Sequence, residues 1–348
     1  ISNSYLFTQL AAIGIGIFLW FILSKINYRV LFKLAPVTFG FSMLLMLITR
    51  IPALQYTDRG YRWIKLGSFS FQPVELLKIS LICFFAYLIY KHKQWDSAGN
   101  WKFLLKVFLT LVICGGLTAI FHKDLGTAIV VVSILLAMYF VSQAKLRFFM
   151  LLLLIVFAGA IISIAVEPYR MQRIATYISH LQTGQESSNT EEELSAEDYH
   201  VEQAVITLGS GGFLGRGLGK SYQTYGYLPQ PADDSIFVVI GEQMGLIGSL
   251  MLLSLYSLLI YRLVKIGFRS DSLEGRVIGI GIATWITVQV FVNIGAMIKL
   301  IPLTGVTLPL VSYGGSSMML ILAAIGLSQS VSKFTLPKNY INYQKRIK

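Results

Sequence analysis

Nine long apolar stretches, separated by more polar segments, divide the chain. Each is long enough to cross a bilayer as a helix, which takes about 17–25 residues. The connections at 122–124 and 144–146 are so short that the helices they join must be antiparallel neighbours. The pattern predicts an all-α polytopic membrane protein, in which residues 1–348 form a single integral membrane domain. The predicted spans are 7–24, 30–49, 74–91, 103–121, 125–143, 147–166, 235–262, 275–298 and 314–334.

Composition supports this reading and excludes the main soluble classes. Hydrophobic residues make up 55% of the 348 residues and charged residues only 13%, whereas soluble domains carry about 25% charged residues. A water-soluble enzyme, a disordered chain and a disulfide scaffold are therefore excluded. Cys83 and Cys114 each lie inside an apolar stretch, so we expect neither a disulfide framework nor a zinc site.

The net charge of +12 is distributed unevenly along the chain. Most Lys and Arg residues fall in the segments that lie inside the cell if the C-terminus is inside, as the positive-inside rule requires. We therefore expect a basic cytoplasmic tail at 335–348 and an outer N-terminus, and we attribute the positive charge to membrane orientation and not to nucleic-acid binding. The first 24 residues carry no charge, which fits a chain that has lost one earlier span.

The long segment 167–234 joins the sixth and seventh predicted spans and falls on the outer side in this orientation. Its middle, 182–198, is polar, acidic and free of aromatic residues, which predicts a flexible surface segment. The following stretch, 199–227, is rich in glycine and aromatic residues. We expect that part of the loop to pack against the outer face of the membrane.

Charged residues at membrane depth are costly, so each is a candidate for function. Glu75 and Lys78 open the third span at positions i and i+3, where they share a helix face and can pair. They form either a structural ion pair or the charged wall of an outward-facing cavity. Asp124 directly precedes the fifth span, where it can cap the helix, and a polar contact with a ligand is compatible with that role.

Three further polar residues, Glu242, Gln289 and Asn293, lie inside the seventh and eighth spans. They are interpreted as contacts between helices, because amide and carboxyl side chains join helices in membranes. The stretch Pro302–Ser317 contains two prolines, three glycines and five hydroxyl side chains and cannot form a regular span. It predicts a re-entrant segment that is buried in protein or lines a wet cavity.

Several of these segments together resemble the SEDS family of cell-wall polymerases, which includes FtsW and RodA. The resemblance covers nearly the whole chain, follows the family's order, and favours the FtsW branch through Gly-Leu-Gly-Lys-Ser and Asp-Ser-Ile-Phe. The family has ten spans, and the missing one is the first. The matching segments are 62–78, 124–128, 168–173, 209–219, 227–229, 234–242 and 302–317.

The resemblance implies glycosyl transfer at the extracytoplasmic face of the bacterial cytoplasmic membrane, in cell division or cell elongation. The donor is the growing glycan on polyprenyl diphosphate and the acceptor is lipid II, whose GlcNAc 4-hydroxyl attacks the MurNAc anomeric carbon. The family's essential aspartate falls on Asp234, which we expect to act as the general base. The resemblance also implies a class B penicillin-binding protein, a transpeptidase, as partner, together with other proteins of the division or elongation complex.

The remaining candidate residues are assigned to substrate binding. Arg62, Lys78, Arg170 and Arg173 are the outer cations expected to bind diphosphate and sugars, since charge-assisted bonds to phosphate are strong. For the last two, lipid anchoring at the membrane interface is an alternative. Glu75, Asp124, Tyr313 and Ser316 complete the set. No protein ligands for a metal are assigned, and the sequence leaves open whether Mg²⁺ or Mn²⁺ assists.

Two other functions are compatible with the same outer polar residues. A lipid II flippase would have a similar cavity without chemistry, and a scaffold would only position the transpeptidase. Only the polymerase requires a carboxylate at Asp234.

Overall fold

The computed structural model describes residues 3–51, 62–66, 69–93, 101–142, 145–166, 196–221, 229 and 231–335. Within these ranges the chain is mostly helical and contains one short β-hairpin. The helices are α1 (Asn3–Lys25), α2 (Tyr28–Ile48), α3 (Pro73–Lys93), α4 (Trp101–Gly116), α5 (Leu125–Val141), α6 (Leu146–Val166), α7 (Ala196–Ser210), α8 (Ile236–Arg269), α9 (Leu273–Met297) and α10 (Gly315–Phe334).

Each of the nine predicted spans coincides with a helix, and the fourth continues through a π-helical turn at Leu117–Phe121. In the described part of the chain, seven helices are long and apolar enough to cross a membrane, while two apolar helices, Leu125–Val141 and Leu146–Ile162, are shorter. Large apolar side chains on the outer surfaces of these helices are exposed, including Phe7, Phe18 and Phe157. Lipid-facing helices have this character, and the chain is a multi-pass membrane protein.

A β-hairpin and one helix were not predicted from the sequence. Strands β1 (Ile64–Leu66) and β2 (Phe69–Phe71) pair antiparallel in the register Ile64 with Phe71 and Leu66 with Phe69. Helix α7 lies inside the long loop 167–234 and begins within its acidic stretch 182–198. Residues 182–195 and the tail beyond 335 lie outside the described residues, so their predicted character stays a prediction.

The helices group into two compact units, so the single domain assigned from the sequence stays a prediction. The first contains residues 1–152, 258–288 and 313–348. In it, α1 packs against α10 and α2 packs against α3. The approach of α1 to α10 depends on Gly326, because a Cβ there would lie 2.6 Å from the carbonyl oxygen of Trp20. The largest buried side chains of this unit include Trp285, Tyr139 and Phe85.

The second unit contains residues 153–257 and 289–312. Its buried apolar cluster joins α7, the start of α8 and the end of α9. The members of the cluster are Ala204, Val238, Val239, Ala296 and Met297. This packing fixes the part of the long loop that returns to α8.

Helix α8 is broken at Gly245, where φ is +66°. A glycine-rich turn at 211–217 pairs with the break: Arg216 N–H donates to Glu242 O at 2.9 Å, and Leu246 N–H donates to Gly212 O at 2.9 Å. A Cβ at Gly215 would lie 2.2 Å from Gln243 O. The turn therefore provides hydrogen-bond partners for backbone groups that the broken helix leaves unpaired. Residue 215 must be glycine, because the two backbones are too close there for a side chain.

The segment between α9 and α10 is irregular, as the prolines and glycines predicted. The amides of Gln289 and Asn293, interpreted from the sequence as contacts between helices, donate to backbone carbonyls of this segment, Gln289 to Thr307 O at 3.0 Å and Asn293 to Val306 O at 2.8 Å. Non-helical backbone at membrane depth leaves carbonyls without helical partners, and these two amides supply donors for them.

Candidate functional site

Asp124 is a buried carboxylate with two partners in the first unit. Its Oδ1 accepts the N–H of Thr127 at 3.0 Å, which is the helix cap predicted from the sequence. Its Oδ2 accepts from the Arg62 guanidinium at 3.3 Å. The ion pair was not predicted, because 62 residues separate the two side chains in the chain.

Arg62 also holds the turn that leads into Asp124. Its Nε donates to His122 O at 3.3 Å and its NH2 donates to Lys123 O at 3.1 Å. Lys123 has a positive φ of 52°, a conformation that costs energy for a residue with a side chain. One planar guanidinium thus binds three successive residues, a geometry that lysine could not reproduce.

The His122 ring closes this turn from the other side. Its Nε2 lies 3.1 Å from Met46 O and 3.2 Å from Thr49 Oγ1. Burial lowers the pKa of His122 below its ordinary value, although the Met46 carbonyl and the charge of Asp124 act in the opposite direction. Since Met46 O can only accept, Nε2 carries the hydrogen of the neutral ring.

Glu75 and Lys78 form the predicted pair, with 2.7 Å between Glu75 Oε1 and Lys78 Nζ. Both side chains are buried, and Lys78 Nζ lies over the Trp285 ring, 4.8 Å from its centroid. Asp124 is close enough to interact electrostatically with Lys78. The second oxygen of Glu75, Oε2, is buried and has no hydrogen-bond partner among the described residues.

Ser316 lies at the start of α10 and accepts the N–H of Gln72 at 3.3 Å. Because Gln72 directly precedes α3, this contact places Ser316 near the helix end that carries Glu75. Tyr313 is half-buried in the turn before α10. Arg170 and Arg173 lie outside the described residues, so their assignment stays a prediction.

Asp234 lies in the second unit, two residues before α8, and is 3% exposed. Burial raises the pKa of its carboxyl to about 6, and the negative charge of Asp233 acts in the same direction, while its own N–H and Ser235 act against both. Its Oδ1 is buried and accepts no hydrogen bond from any described residue. This carboxyl is therefore a proton acceptor with one oxygen available and a pKa close to neutrality.

Two elements hold the backbone around Asp234. The Asn293 amide donates to Asp234 O at 2.8 Å and, through the same nitrogen, to Val306 O. Gly305 has a positive φ of 66°, and a Cβ at that residue would lie 3.9 Å from Asp234 Oδ2. The irregular segment thus passes beside the carboxyl.

Another buried carboxyl, Glu242, accepts a hydrogen bond from the hydroxyl of Ser221. This bond joins α8 to the long loop, and the interpretation of Glu242 as a contact between helices stays a prediction. Within the described ranges, no three His, Cys, Asp or Glu side chains come together to hold a metal ion.

A family model described as cell cycle protein, which groups FtsW, RodA and SpoVE, matches residues 1–336. The chain belongs to the FtsW/RodA/SpoVE family. Stage V sporulation protein E of Bacillus subtilis is 34% identical over 94% of this chain and 86% of its own. A Coxiella burnetii protein named probable peptidoglycan glycosyltransferase FtsW is 34% identical over 93% of this chain and 85% of its own.

Solved structures of family members have the same fold. A chain from a peptidoglycan synthase complex, described as coordinating polymerization and crosslinking, aligns with a TM-score of 0.74 and 28% identity, covering 94% of this chain and 89% of its own. The rod shape determining protein RodA of Thermus thermophilus aligns with a TM-score of 0.68 and 28% identity, covering 97% and 90%. The family resemblance read from the sequence motifs is confirmed.

Proposed function

We propose that this chain is a peptidoglycan glycosyltransferase that joins lipid II to a growing glycan on polyprenyl diphosphate. The observation that carries the proposal is Asp234, a buried carboxyl with a raised pKa, whose Oδ1 has no hydrogen-bond partner among the described residues. The names of the FtsW relatives support the same activity. The reaction is placed at the extracytoplasmic face of the bacterial cytoplasmic membrane, because the positive residues orient the long loop outwards.

In this mechanism the ionised Asp234 acts as the general base. Its Oδ1 takes the proton from the acceptor's GlcNAc 4-hydroxyl as the hydroxyl oxygen bonds to the MurNAc anomeric carbon. The bond from the anomeric carbon to the diphosphate oxygen breaks, and polyprenyl diphosphate leaves with the electron pair. The proton then passes from Asp234 to solvent, which restores the carboxylate.

Arg62 is the described cation best suited to bind the diphosphate. Its side chain is 35% exposed, and a guanidinium has five N–H donors, more than its three contacts with described residues use. Lys78 is 1% exposed and paired with Glu75, so we assign the pair to holding the polar end of α3 instead of binding phosphate directly. Arg170 and Arg173 are proposed to add positive charge from the long loop.

A transpeptidase of the class B penicillin-binding type is the proposed partner. The support is the structural similarity to a chain of a synthase complex in which polymerization and crosslinking are coordinated. Other proteins of a division or elongation complex are proposed to join it. Addition of the transpeptidase to the purified chain should raise glycan synthesis.

An assay with purified lipid II distinguishes the polymerase, the flippase and the scaffold. A polymerase converts lipid II into glycan strands, which gel electrophoresis resolves by length. A flippase reconstituted in vesicles moves lipid II between leaflets without forming strands, and a scaffold does neither while still binding the transpeptidase. The same reaction run with Mg²⁺, with Mn²⁺ and with a chelator tests whether a divalent cation assists.

A further inference from the structure

His200 is a buried histidine that the mechanism above does not use. It lies on α7 in the long loop, and with Ala204 and Thr207 it forms the buried face of that helix at positions i, i+4 and i+7. Its Nε2 lies 2.6 Å from the hydroxyl oxygen of Ser235, the residue that follows Asp234. The contact joins the long loop to the start of α8.

The donor in this contact follows from the other partner of Ser235. The Ser235 hydroxyl donates to Pro229 O at 3.1 Å. A carbonyl can only accept, so the single hydrogen of the hydroxyl is used in this bond. His200 must therefore donate its Nε2–H to Ser235 Oγ.

Burial lowers the pKa of His200 below its ordinary value, which favours the neutral ring. A buried hydroxyl that accepts one hydrogen bond and donates another has a fixed orientation. Because Ser235 directly follows Asp234 in the chain, holding Ser235 in place also restricts the position of Asp234.

We propose that His200 is a positioning residue for the general base: through the Ser235 hydroxyl it fixes the Asp234 carboxyl in the direction required for proton transfer. This inference rests on the proposed function. His200 does not touch the substrate in this account, and its contribution depends entirely on Ser235. The long loop thereby helps to build the site at the start of α8, which the acidic composition of its middle did not predict.

The test compares four variants with wild-type protein in the lipid II polymerisation assay, together with the transpeptidase partner. His200→Leu removes the donor, and His200→Gln keeps an N–H donor on a side chain of similar length. Ser235→Ala removes the acceptor, and the fourth variant combines His200→Leu with Ser235→Ala. Thr207→Val is the matched control, because it removes another buried hydroxyl of α7 that bonds its own helix at Gln203 O.

We expect His200→Leu and Ser235→Ala each to lower kcat about 10-fold with KM nearly unchanged, since a misplaced catalytic group loses rate more than binding. His200→Gln should recover to within about 3-fold of wild type, as a retained donor predicts. The double variant should be no slower than the worse single variant, because both remove the same interaction. Thr207→Val should retain wild-type kcat.

Three results would overturn the proposal. The first is a normal kcat for His200→Leu, and the second is an equal loss of kcat in His200→Leu and His200→Gln. The third is a double variant in which the two single losses multiply, so that kcat falls about 100-fold. If His200→Leu does not fold, the Gln and Ser235→Ala variants decide. Asp234→Asn is run alongside: if it polymerises normally, the proposed function fails, whereas an inactive Asp234→Asn beside a normal His200→Leu refutes the role of His200 alone.

Discussion

The raised pKa of Asp234 predicts an unusual pH dependence of polymerisation. The group must be ionised to accept a proton, and its pKa is about 6 because the carboxyl is buried. At pH 5 such a group is about 10% ionised, whereas an aspartate with its ordinary pKa near 4 is about 90% ionised. The rate should therefore rise with pH through about 6 and fall about 10-fold between its plateau and pH 5.

The assay is kcat/KM for lipid II polymerisation between pH 4.5 and 8, with circular dichroism at each pH to confirm that the protein remains folded. Asp233→Asn is the matched variant, because the charge of Asp233 raises the pKa of Asp234. Without that charge the acid limb should move to lower pH while the plateau rate is retained. An acid limb near pH 4 in the wild-type protein would refute the assignment of a buried general base.

Three further predictions concern other described residues. Arg62→Ala should lower the free energy of unfolding by roughly 1–2 kcal/mol, measured by thermal unfolding, because it removes the bonds that hold the turn before α5. It should also lower polymerisation, and Arg62→Lys should restore neither stability nor activity. Lys78→Met should lower the free energy of unfolding by roughly 3–5 kcal/mol, because it leaves Glu75 buried and unpaired. Adding Glu75→Gln to that variant should recover most of the lost stability. If stability returns and polymerisation does not, the pair also serves the reaction. Gly245→Ala should lower the folded yield, because its φ is +66° and a Cβ would lie 2.4 Å from a backbone nitrogen, whereas Gly40→Ala, which meets no atom within 4 Å, should be tolerated.

The helical core could be predicted from the sequence because hydrophobic stretches of bilayer length determine it. The Asp124 cap and the Glu75–Lys78 pair were also predictable, since both arise from neighbours within one turn of a helix. The irregular character of Pro302–Ser317 followed from its glycines and prolines.

The features that were missed depend on contacts between distant parts of the chain. Asn293 binds a carbonyl 59 residues away, and Arg62 binds a turn about 60 residues away. The partners of His200 could not be predicted either, although the helical spacing from His200 to Ala204 and Thr207 was visible. Short strands and the break at Gly245 give no clear periodic signal in so few residues.

The most direct test of the account is the activity of Asp234→Asn in the lipid II polymerisation assay with the transpeptidase partner present. The substitution keeps the shape of the side chain and removes the base, and a positioned base is worth roughly 10²–10⁴-fold in rate. Asp234→Asn should fold, insert into the membrane and bind lipid II, yet produce no glycan strands, while Asp233→Asn remains active. Normal strand synthesis by Asp234→Asn would contradict the carboxylate mechanism and favour the flippase or scaffold function.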